Sequence, residues 1–193
     1  MCADAATEDL AARLASAREP NQGAACTTAA VLTGLRALGA VGLPPLGSAA
    51  LELGARVPAG APGLLDYVGV PGVRRAPLDA RIEELAARHG LAVRSRTGPV
   101  LPVPASRLRP APGEVLIAHL AWGQEAPGRR GAWGWHPLRP STYTVGGHSV
   151  VVAAVERDGS WVVVDSNHPD VQRWARPGVA LTVTRLRPAV SGD

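Results

Sequence analysis

Residues 146–165, GGHSVVVAAVERDGSWVVVD, decide how this chain is read. Two apolar, β-branched runs, His148 to Val155 and Ser160 to Asp165, flank Asp158-Gly159, a strong signal for a tight hairpin turn. If that turn forms, His148 and Asp165 lie together at the end of the hairpin away from it. An imidazole and a carboxylate are thereby set on neighbouring strands.

Working outward, Glu114 to Ala121 (EVLIAHLA) is a continuous apolar run that predicts a buried strand. Leu181 to Leu186 predicts another, and Val93 opens a shorter one. The period is different ahead of residue 90. Leu10, Leu14 and Ala17 share one face of a helix expected over about Thr7 to Arg18, which Pro20, Asn21 and Gly23 break. Ala29, Leu32, Leu35 and Leu38 predict a second helix from Cys26 to Leu38, stopped by Gly39. Ile82, Leu85 and Ala86 mark a third from Leu78 to His89, closed by Gly90. Short helices and turns are expected over 40–78, around Ala49 to Leu53 and Leu64 to Val68. Helices first and antiparallel strands second predict an α+β fold in one domain over 1–193, helical over about 5–90 and sheet over about 91–188.

Composition narrows the function classes. At 193 residues and 46% hydrophobic, the chain suffices for one domain with a real core. The net charge is +4, every basic residue is Arg, and the arginines are scattered. A nucleic-acid partner would favour concentrating them in one run or on one face, so none is expected. No apolar run approaches the ~18 residues of a membrane helix. Asp4, Glu8 and Asp9 stand where a secretory signal would need apolar residues. Cys2 and Cys26 make no disulfide framework, so a reducing, cytoplasmic location is the expectation.

The chemistry centres on Cys26, at the predicted start of a helix. Unsatisfied N–H groups and the positive end of the dipole stabilise a thiolate there. His148 would serve as its base and Asp165 would orient the imidazole, with Asn167 as the rival for that role. Gln22, in a Gly-containing loop, and the backbone N–H of Cys26 are candidate donors to an oxyanion. Gly147 leaves room beside His148 for substrate. Trp122, Trp133 and Trp135 cluster in and beside a long turn-rich insertion, Trp122 to Pro140, and either pack it onto the sheet or line an acyl or peptide groove. His119, inside an apolar strand, is expected to be a satisfied core residue. No close-spaced ligand pair points to a metal, and the run DSNHPD lacks the glycine and third oxygen ligand of a calcium loop. No cofactor is expected.

Gln22, Cys26, His148 and Asp165, in that order, with about 120 residues between Cys and His, resemble the papain-like cysteine peptidase superfamily. Two branches are most similar. One is the peptidase-like domain that processes double-glycine bacteriocin leaders. The other is the phytochelatin synthases, which GGHSVVV and VVVD with the following Pro169 and Trp174 resemble. The likeness covers residues 20–36 and 114–175, less than half of the chain. It departs at Thr27, where both branches usually place Gly, and in the shorter spacing from Gln22 to Cys26. The resemblance implies a papain-like fold, with the Cys helix packed on the sheet. It also implies a Cys-His-Asp hydrolase or acyl transferase acting on a peptide or a small amide or thioester. The alternative is a catalytically degenerate papain-like module that binds a leader peptide or a partner protein. Oligomeric state is not legible.

Overall fold

Among the described residues every helix precedes every strand. The computed structural model describes residues 2–22, 25–54, 75–99, 108–124, 144–175 and 179–189. Among these, the helices are α1 (Cys2–Ser16), α2 (Cys26–Ala37), α3 (Leu46–Glu52) and α4 (Arg75–Arg88). The strands are β1 (Val93–Pro99), β2 (Val115–Gln124), β3 (Thr144–Val155), β4 (Trp161–Val164), β5 (Gln172–Trp174) and β6 (Val179–Pro188). They form one sheet in the order β1-β6-β2-β3-β4-β5, antiparallel at every pairing. The chain is therefore α+β. No helix among the described residues is long and apolar enough to cross a membrane.

The period-2 alternation of the strands sorts their side chains into two clusters. Val115, Ile117, Val151, Ala153, Val164 and Leu186 join the leucines of the helices in the main core. Leu116, Ala118, Val150, Val152, Val163 and Val183 form a second cluster with Trp161 and Trp174. Both tryptophans thus take core positions. Helix α2 is buried almost all round, with Ala29, Leu32 and Leu35 inaccessible to solvent. Each fully buried leucine contributes about 1.5–3 kcal/mol, which makes this helix the anchor of the helical half. Its seat is tight: a Cβ added at Gly34 would come within 3.0 Å of both Val115 and Leu186. That close approach fixes α2 against β2 and β6, and with it the depth of Cys26 at the helix start.

Gly39 (φ 108°) and Gly90 (φ 76°) take the left-handed conformation that ends α2 and α4. Asp158-Gly159 makes the expected turn, with Glu156 N–H donating to Ser160 O at 2.8 Å and Gly159 at φ 83°. Several bounds differ from the sequence reading, with α4 starting at Arg75 and not Leu78, β3 at Thr144 and not His148, and β6 at Val179 and not Leu181. α1 begins at Cys2, ahead of Thr7, because the alanines there favour helix. β2 continues past Ala121 to Gln124, pairing Trp122 with Gly146 and Gln124 with Thr144, so Trp122 to Gln124 belong to the strand, and residues 125–140 of the expected insertion lie outside the described residues. The short edge strand β5 was not anticipated, since Gln172-Arg173-Trp174 shows no apolar alternation. It is held instead by Trp161 opposite Trp174 and by Arg173 on Glu156 and Asp158 at 2.6 and 2.8 Å. The expected short apolar element at Leu64 to Val68 lies outside the described residues.

Candidate active site

Cys26 is the first residue of α2, after the N-cap Ala25, whose side chain makes no capping hydrogen bond. In a helix start the first N–H groups have no intrahelical acceptor, so the thiol sits among donors and at the positive end of the dipole. The loop leading to it is tied down at several points. Asn21 N–H donates to Ser166 O at 2.9 Å, Asn21 Nδ2 to Asn167 Oδ1 at 2.9 Å, and Arg18 Nη1 to Ser166 O at 3.1 Å. Glu19 N–H donates to Thr33 Oγ1 at 2.9 Å, and its carboxylate pairs with Arg36. The approach to Cys26 is thus fastened both to its own helix and to the turn that follows Asp165.

His148 and Asp165 come together from β3 and the end of β4. His148 Nε2 lies 2.8 Å from Asp165 Oδ1, and the two side chains are 4% and 0% exposed. Asp165 Oδ1 also accepts the Asn167 N–H at 2.9 Å, and its Oδ2 lies 4.0 Å from His168 Nε2. Cys26 lies beside His148, near enough for the imidazole to lower the thiol and for the thiol to raise the imidazole. With Nε2 committed to Asp165, Nδ1 is the nitrogen left for the sulfur.

The electrostatics follow from this line of contacts. Burial opposes charge on all three groups, and the partners overcome it. Burial pushes the Cys26 thiol up, but His148 beside it and the Ser149 N–H bring it below the ordinary thiol value. Burial pushes His148 down, but Asp165 and Cys26 raise it to about 9. Burial pushes Asp165 up, and the His148 contact holds it below the usual carboxylate range. All three shifts favour a thiolate beside an imidazolium on a carboxylate.

A second set of contacts reaches the same sulfur. Ser149, next to His148, meets Thr27 Oγ1 at 2.8 Å and His119 Nδ1 at 2.8 Å through its hydroxyl. His119 Nε2 in turn lies 2.9 Å from Thr184 Oγ1. His119 is the satisfied core residue its strand context suggests, and burial lowers its pKa to about 3, so it is neutral. Thr27 puts its hydroxyl on Ser149. Ser149 did not stand out in the sequence, and Thr27 did so only as a residue where the resemblance leads one to expect Gly. The available signal was a lone hydroxyl between His148 and six consecutive apolar residues.

The remaining candidates fall elsewhere. Asn167 is exposed and its side-chain oxygen accepts from Asn21, so Asp165, not Asn167, is the residue on the imidazole. Gln22 is exposed on the loop, and residues 23–24 between it and Cys26 lie outside the described residues. Gly147 lies on β3 opposite Ala121, and Trp122 on β2 opposite Gly146. Trp133 and Trp135 lie outside the described residues. Among the described residues no three His, Cys, Asp or Glu side chains cluster as metal ligands would. No protein-family model, curated protein or solved structure matches the chain.

Proposed function

We propose that this protein is a papain-like cysteine-dependent hydrolase or acyl transferase acting on an amide, peptide or thioester. The observation that carries the reading is the buried line from the Cys26 thiol through His148 to Asp165, with the last contact at 2.8 Å. An inert core cysteine has no need of an imidazole on its sulfur, nor of a carboxylate buried behind that imidazole.

In this reading the Cys26 thiolate attacks the carbonyl carbon, and the carbonyl π electrons move to oxygen. Backbone N–H groups at the start of α2, with Gln22 as a further candidate donor, stabilise that oxyanion. The intermediate collapses as His148 gives its proton to the leaving amine or thiol, and a thioester remains on Cys26. Water or an acceptor amine then attacks the thioester while His148 takes up the incoming proton, and the thiolate departs. Asp165 holds the imidazole in orientation and stabilises its cation throughout.

A substrate-independent experiment tests this. The folded protein is treated with an activated ester such as p-nitrophenyl acetate, quenched in acid, and mapped by mass spectrometry. The expected result is an acetyl thioester on Cys26 that is absent from Cys2 and strongly reduced in His148→Ala. Equal acylation of both cysteines, or none at Cys26, contradicts the proposal and favours a papain-like module that binds a peptide without cleaving it.

A further inference from the structure

Five side-chain hydrogen bonds cross the sheet in an unbroken line. Asp79 Oδ1 accepts from Thr97 Oγ1 at 2.7 Å, and Thr97 Oγ1 meets Thr184 Oγ1 at 2.8 Å. Thr184 Oγ1 meets His119 Nε2 at 2.9 Å, His119 Nδ1 meets Ser149 Oγ at 2.8 Å, and Ser149 Oγ meets Thr27 Oγ1 at 2.8 Å. The sheet order makes this line possible. β6 lies between β1 and β2, which sets Thr97 opposite Thr184 and His119 opposite Ser149. The line ends beside the reactive sulfur: the backbone N–H and the hydroxyl of Ser149 both lie within reach of Cys26, and each lowers the thiol if it donates to the sulfur.

A hydroxyl has one proton, and a neutral imidazole has one N–H. The four hydroxyls and His119 therefore supply one proton for each of the five bonds. One end is fixed, because a carboxylate only accepts. Asp79 also takes the Ser95 hydroxyl at 2.8 Å and the Thr97 N–H at 2.8 Å. Thr97 spends its proton on Asp79, so Thr184 must donate to Thr97. Thr184 then has none for His119 and must accept from Nε2–H. With its proton on Nε2, His119 presents a bare Nδ1, and Ser149 donates to it. Thr27 completes the series by donating to Ser149. A reversal would need a second proton on His119, which its burial opposes.

We propose that this chain has a single polarity, every proton directed toward Asp79, so that His119 is held as the Nε2–H tautomer and the Ser149 hydroxyl is turned away from the Cys26 sulfur. His119 and Ser149 are then positioning residues. They withhold one hydrogen bond from the thiolate, which leaves it more basic and intrinsically more nucleophilic. The consequence for Cys26 rests on its being the reactive thiol, whereas the tautomer of His119 does not.

Two readouts test the proposal and keep those cases apart. In protein carrying 15N-labelled histidine, two-bond 1H–15N correlations should show His119 as the neutral Nε2–H form near pH 7. An Nδ1–H form overturns the proposal whatever Cys26 does. The pH midpoint of Cys26 alkylation by iodoacetamide should be unmoved in Ser149→Ala, because the hydroxyl does not donate to sulfur. A rise in that midpoint overturns the proposal. Thr184→Val keeps the shape but frees His119 to take the Nδ1–H form. The Ser149 proton then swings to sulfur and the midpoint falls by about one pH unit. Ser149→Ala in that background should restore it. A tautomer that switches with no movement of the midpoint overturns the positioning role. Absent or pH-insensitive labelling of Cys26 would fail the reading of the site, while the His119 signal would still decide the polarity.

Discussion

His148 and Asp165 lie 17 residues apart on one hairpin and meet at 2.8 Å, with Nε2 on Oδ1 and Asp165 wholly buried. A buried carboxylate facing an imidazole holds one ring nitrogen and leaves the other to act. Asp165→Asn keeps a hydrogen bond but removes the charge that raises His148. Acylation of Cys26 should fall by about 10²-fold and not vanish, with the midpoint of alkylation moved to higher pH. Unchanged rates in single-turnover assays would show that Asp165 only fills space.

Cys26→Ala should abolish acyl transfer to the protein while leaving the far-ultraviolet circular dichroism spectrum unchanged. Only a thiol at the first turn of α2 is removed, and the leucines that seat the helix remain. Turnover equal to wild type on any ester or peptide would remove Cys26 from the chemistry.

Turnover that needs the proton of His148 should fall as pH rises through about 9. Alkylation needs only the thiolate, so it should persist across the same range. The two pH profiles should therefore separate on the alkaline side. Profiles that fall together would place the lost proton elsewhere.

The same pair shapes stability. His148, raised on folding, contributes fully below its unfolded value of 6.5 and loses that contribution as pH rises through about 9. Cys26, lowered on folding, contributes fully above 9.0 and loses that contribution as pH falls through its folded value. Between 6.5 and about 9 the two slopes oppose each other, since the folded pair and the unfolded pair each hold one proton. Urea unfolding of wild type should thus change little with pH there on account of this pair. Cys26→Ala keeps only the His148 slope and should lose stability over that window. Parallel curves for the two proteins would contradict the ion pair.

Glu114 holds the opposite part of the sheet. Its wholly buried carboxylate takes Arg187 Nε at 2.8 Å and Arg185 Nη1 at 2.5 Å, and it also accepts the Ala111 N–H at 2.8 Å. Both arginines keep some solvent, which limits the cost of losing their partner. Glu114→Gln should destabilise by about 1–3 kcal/mol, a fall of several degrees in Tm, with the alkylation midpoint of Cys26 unmoved. A shifted midpoint would show that this strand end communicates with the site.

Cys26, His148 and Asp165 were legible because local signals fix each of them. A helix start places the thiol, and the Asp158-Gly159 turn brings positions 148 and 165 to one end of a hairpin. The α+β class was legible from the change of period near residue 90. The line from Asp79 to Ser149 was not, since it depends on β6, the last strand in the chain, inserting between β1 and β2. Spacing along a sequence carries no such order. Glu114 read as the polar first residue of an apolar run, and only its tertiary neighbours show why a carboxylate stands there. β5 was hidden because charged pairs, not apolar alternation, hold it.

The most direct measurement of the central claim is the rate of iodoacetamide labelling at Cys26 against pH, followed residue by residue by mass spectrometry. In the folded wild type Cys26 should label with a midpoint well below that of a free thiol, about 8.5. In His148→Ala the midpoint should rise to that value or above it, because burial then acts alone. A wild-type midpoint at or above about 8.5, unmoved by His148→Ala, would contradict a thiolate–imidazolium pair.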